Sequence, residues 1–111
     1  MIGTRHELKT LPPYFGDVVE GRKTFEVRHT FDRTFAVGDV LHLREWDYNP
    51  DYEVTLDFEG AFVVEGDIKG FYSGRAVDVA VVYLMLGGSM GIPANLAVMG
   101  IVLVDGKAED D

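Results

Sequence analysis

The chain has 111 residues, 47% hydrophobic and 26% charged. That suffices for one packed domain and is too apolar for wholesale disorder. Ten Lys and Arg stand against 19 Asp and Glu, a net charge of −9, which excludes a protein that coats nucleic acid by bulk charge. Cysteine is absent, so disulfides, thiolate chemistry and Cys-based zinc sites are excluded as well.

The charge is unevenly spread. Residues 1–44 carry seven basic residues and six acids, a net of +1, whereas residues 45–111 carry three and 13, a net of −10. All three histidines (His6, His29 and His42) fall in the first part. This pattern describes a local cationic surface on an acidic body. No apolar leader core follows Met1, and the longest apolar run, 79–86, is only eight residues. Neither a signal peptide nor a membrane span is expected, and a cytoplasmic location follows by elimination.

In chain order, His6 to Lys9 alternates like a short strand, and Pro12-Pro13 then open a helix that runs through Tyr14 to Glu20 and stops at Gly21. Phe15, Val18 and Val19 form its apolar stripe. Lys23 to His29 reads as a strand. Period two divides it into Lys23, Phe25, Val27 and Thr24, Glu26, Arg28. The apolar pair is expected to face the core, with Glu26 and Arg28 outward or lining a cleft. Val37-Gly38-Asp39 is a turn, and Val40 to Trp46 the next strand. The acidic, aromatic-rich stretch 48–71 reads as an insertion, in which Tyr52–Phe58 and Ala61–Glu65 can pair as a hairpin. Gly74 to Leu86 is a long strand with Val77, Val79, Val81 and Tyr83 on one face. Gly87 to Pro93 is a loop, Leu96 to Val104 a final strand, and 106–111 an acidic, frayed tail. Several short strands, many turns and one early helix describe a single mostly β (α+β) domain over 1–111, a small barrel or curled sheet.

The segment Gly21-Arg22-Lys23-Thr24-Phe25-Glu26-Val27-Arg28 carries the most chemistry. Lys23 sits at a helix–strand junction. Glu26 and Arg28 project from one strand face, where a carboxylate can orient a guanidinium fork toward a carbonyl or phosphate. A solvated ion pair of little energetic worth is the competing interpretation. Trp46, Tyr48 and Tyr72 are candidate stacking surfaces for a base, although a lone tryptophan in a small β domain more often packs inside. The histidines show no metal-ligand spacing, so no metal and no cofactor are expected.

Three stretches together resemble the ASCH/PUA-like superfamily, in its branch of small bacterial and phage domains of unknown function. They are His6-Glu7-Leu8-Lys9-Thr10 with Tyr14-Phe15, then Gly21 to Arg28, then Arg33 to Asp39 leading to Leu43-Arg44-Glu45-Trp46. Tyr72-Ser73-Gly74-Arg75, Gly91-Ile92 and Ala97 to Ile101 look like the same branch. The resemblance implies a PUA-like barrel with a short N-terminal helix beside a cleft, and recognition of RNA or a modified nucleobase. By that analogy Lys23, Glu26 and Arg28 line the cleft, and His6 and Lys9 adjoin it; Thr24, on the Glu26 face by period two, and Trp46, at a strand end beside Arg44 and Glu45, complete the ligand-binding set. Some ASCH relatives are amidohydrolases that act on N4-acetylcytidine with a lysine, a threonine and a glutamate. Lys23 matches the lysine, but Glu26 replaces the threonine, and Thr24 is not at the matching position. A hydrolase would therefore use Lys23 and Glu26 as its catalytic pair, the carboxylate serving as base for a water.

Three function classes follow. The first is binding of RNA or a modified nucleoside, with no membrane partner. The second is an amidohydrolase for an acylated nucleoside. The third is an acidic protein-interaction module that mimics nucleic-acid charge.

Overall fold

The computed structural model describes residues 3–48, 54–56, 62–64, 70–104 and 109–110, with side-chain surroundings for 3–47 and 70–104. Among the described residues the fold is mostly β with one short helix. Strand β1 (Arg5–Thr10) leads into helix α1 (Pro12–Val19) and then strand β2 (Phe25–His29). Strands β3 (Val40–Tyr48), β4 (Val54–Leu56), β5 (Phe62–Val64), β6 (Gly70–Leu86), β7 (Leu96–Leu103) and β8 (Glu109–Asp110) follow. The main sheet runs β1-β3-β6-β7-β2, with β8 paired to β6 off that path. Among the described residues β1 and β3 run parallel, and the other neighbours in the sheet are antiparallel. The sheet is curled into a half-barrel, with β1 and β2 as its two edges.

The concave side holds the core. Leu41, Leu43, Val77, Val79, Val81, Ala97, Met99 and Ile101 line it, and Phe15 and Val18 of α1 pack against them. Phe15 is fully buried and Val18 nearly so, because an eight-residue helix is too short to hold itself and depends on docking its apolar stripe. Pro12 and Pro13 occupy the first turn, where their missing amide hydrogens have no intrahelical partner to lose. Gly21, at φ 78°, ends the helix in the left-handed region.

Two expectations about side-chain direction are corrected. On β2 it is Glu26 that is buried, at 2% exposure, while Phe25 and Val27 are 48% and 42% exposed. Register explains the inversion. Glu26 lies opposite Met99, and Arg28 opposite Ala97, both fully buried core residues of β7. On β6, a bulge between Val81 and Tyr83 shifts the alternation, so Val81 remains inside and Tyr83 turns out to 60% exposure.

Within the expected insertion, β4 and β5 pair antiparallel from Val54–Val64 to Leu56–Phe62, as the hairpin reading required. The turn expected across Glu59-Gly60 falls on residues outside the described ones. The C-terminal segment differs from a wholly frayed tail: Glu109 and Asp110 pair with Ala76 and Arg75 of β6.

Candidate binding site at the β1–β2 seam

The end of α1 fixes where Lys23 stands. With Gly21 left-handed, the amides of Arg22 and Lys23 both turn back to the Asp17 carbonyl, at 2.9 and 3.0 Å. Thr24 follows, its carbonyl accepting the Ile101 amide at 3.0 Å. This anchors the junction to β7 and aims the Lys23 ammonium back along β2. The ammonium donates to the Phe25 carbonyl at 2.6 Å and to Glu26 Oε2.

Arg28 approaches the same carboxylate from the other side. Its Nε and Nη2 donate to Glu26 Oε1 at 3.0 and 2.8 Å. Nη1 donates to the Lys9 carbonyl at 3.0 Å, and Nη2 also reaches the Thr10 hydroxyl at 3.2 Å. The guanidinium of one edge strand thus ties the other edge strand across the open side of the half-barrel. Thr10, 4% exposed, enters the site through this contact. It belongs to the His6–Thr10 stretch that carries the resemblance, but the stretch alone gives it no role, because only the curl of the sheet brings the end of β1 beside β2.

The result is a triad with one buried anion and two cations, a formal surplus of +1. Burying ions is costly unless they are paired and hydrogen-bonded, and here Glu26 accepts three hydrogen bonds. The side chains of Lys23 and Arg28 remain 18% and 24% exposed against 3% for Glu26. Beside the triad lies an indentation of about 190 Å³, lined by Val18, Gly21, Lys23, Thr24, Val79 and residues 101–103. Its walls are mainly apolar, and Lys23 belongs to both indentation and triad.

The remaining site candidates are placed elsewhere. His6 is not at a cationic edge but 6% exposed, its Nε2 2.9 Å from Asp39 Oδ2 and its ring 4.7 Å from that of Phe35. Four residues along β1 from Thr10 is roughly 13 Å. Asp39 also accepts the amides of Thr4 and Ala36, both at 2.9 Å. Burial pushes the Asp39 carboxyl up, but the hydrogen bonds from His6, Ala36 and Thr4, with the His6 charge, outweigh it and hold the group below its ordinary value.

Lys9 points to the outer face, where its ammonium lies 4.7 Å from the Trp46 ring. Trp46 is 6% exposed and offers no open stacking face. The neighbouring Arg44 lies 3.6 Å over the Tyr72 ring and bonds Glu7 at 2.8 Å. The side chain of Tyr48 lies outside the described residues. Among the described residues no three His, Asp or Glu side chains gather as a metal site, and no helix is long and apolar enough to cross a membrane.

Comparison with known sequences gives one family. The sequence model described as Domain of unknown function (DUF3850) matches residues 5–101, a span that includes the whole triad. A search of curated proteins found no match.

Proposed function

We propose that this chain, which belongs to the DUF3850 family, binds RNA or a modified nucleobase, with Lys23 meeting the ligand's polar edge. One observation carries the reading: two cations held by a single buried carboxylate, next to an apolar indentation that Lys23 shares. A base needs apolar contact for its faces and fixed hydrogen-bonding groups at its edge. A volume of about 190 Å³ suits one ring system rather than a duplex. The −9 net charge repels a long polyanion and favours a compact ligand or a single unstacked base. The resemblance to ASCH/PUA-like domains points the same way.

Hydrolysis is less well supported. It asks Glu26 to take a proton from water, yet its carboxylate already accepts three hydrogen bonds and its side chain is 3% exposed.

Titration with a panel of nucleosides and short single-stranded RNAs tests the reading. Binding is expected to weaken about tenfold in Lys23→Ala, on the loss of a charge-assisted hydrogen bond, and RNA affinity to fall as salt rises. Equal binding by folded Lys23→Ala and parent protein refutes it. Capture of basic proteins together with indifference to RNA would instead identify an acidic interaction module.

A further inference from the structure

Resting on that reading, we infer that the site selects a base by its acceptor edge: a pyrimidine with a keto oxygen at position 4, of the uracil type, over an amino pyrimidine of the cytosine type. The ground is the balance of donors and acceptors left over once the protein's own bonds are formed. An ammonium has three N–H donors and a guanidinium five. Lys23 uses two of its donors, on Phe25 and Glu26. Arg28 uses four, on Glu26 twice, the Lys9 carbonyl and the Thr10 hydroxyl. Each cation therefore keeps one N–H.

The acceptors are accounted for differently. Both lone-pair positions of Glu26 Oε1 are taken by Arg28, and Oε2 accepts from Lys23. The remaining lone pair of Oε2 belongs to a side chain only 3% exposed, out of reach of a ligand. The carbonyls of Phe25 and Lys9 each accept from one of the two cations. What the triad offers outward is donors with a positive surplus. An exocyclic keto oxygen can accept from them. Set against the two cations, an exocyclic amino group brings two more donors to groups that can only donate, and leaves them unpaired on desolvation. Glu26 thus aims the two cations and does not itself touch the ligand.

Because Lys23 and Arg28 stay partly exposed, water moderates the preference. The expected ratio of uridine to cytidine affinity is about tenfold, well short of the discrimination reached in fully enclosed sites. The experiment is a chemical-shift titration of the intact chain with uridine and with cytidine, following the amides of Thr24, Phe25 and Ile101. Lys23→Gln, whose amide both donates and accepts, is titrated alongside. Uridine is expected to bind about tenfold more tightly, and Lys23→Gln to narrow the ratio to about twofold. Cytidine binding as well as uridine, with both weakened by Lys23→Ala, overturns this inference and leaves the binding reading standing. An unchanged ratio in Lys23→Gln overturns it too. If neither nucleoside nor any RNA of the panel shifts these amides, the binding reading itself fails and the inference falls with it.

Discussion

Replacing Arg28 by Ala should destabilise the fold far more than its place on a short edge strand suggests. The substitution deletes four hydrogen bonds, two of which join β2 to β1 across the mouth of the half-barrel. It also leaves Glu26, 2% exposed, with Lys23 as its single cation. Removing one partner of a buried pair costs about 3–5 kcal/mol, chiefly because the other charge is stranded. The Arg28 side chain is 24% exposed, so water can partly replace it, and the low end, about 3 kcal/mol, applies. For a domain of this size that lowers Tm by roughly 12 °C. In urea, with a slope of about 2 kcal/mol/M, the midpoint falls by about 1.5 M. Arg28→Met paired with Glu26→Met should recover most of the loss, since apolar side chains of similar volume remove the stranded charge along with its partner. A change below about 0.5 kcal/mol in Arg28→Ala would refute the seam, and so would additive effects in a double-mutant cycle of Arg28 and Glu26.

Two further outcomes follow from the same geometry. Phe25→Ser should lower stability by only about 1 kcal/mol in urea unfolding, because the ring is half exposed; a loss of 3 kcal/mol or more, typical of a core phenylalanine, would put Phe25 inside after all. Asp39 titrates below its ordinary value in the folded chain, so its stabilising contribution is complete above the unfolded carboxyl pKa of about 3.9 and is lost as pH falls through the folded value. Asp39→Asn should therefore destabilise at neutral pH and show a shallower decline in acid than the parent. Parallel acid profiles for the two proteins would contradict the bonds from Thr4, His6 and Ala36.

Local sequence chemistry determined the elements of this protein and most of their order. Paired prolines opened α1 and Gly21 closed it, because both effects depend on φ at those residues alone. Alternation located β2, β3, β6 and β7, and the Gly21–Arg28 stretch already held three members of the triad. Which face of β2 turns inward was decided only by the tertiary structure. Period two sorts residues into two sets but does not say which is buried. The apolar content of Phe25 and Val27 favoured one answer, and the register against Ala97 and Met99 imposed the other. That answer is tolerable because Glu26 enters the interior already satisfied by Lys23 and Arg28. Thr10 and the Lys9 carbonyl lie 18 and 19 residues from Arg28. No local rule could bring them there; the curl of the sheet does, by carrying its two edge strands to within reach of one guanidinium.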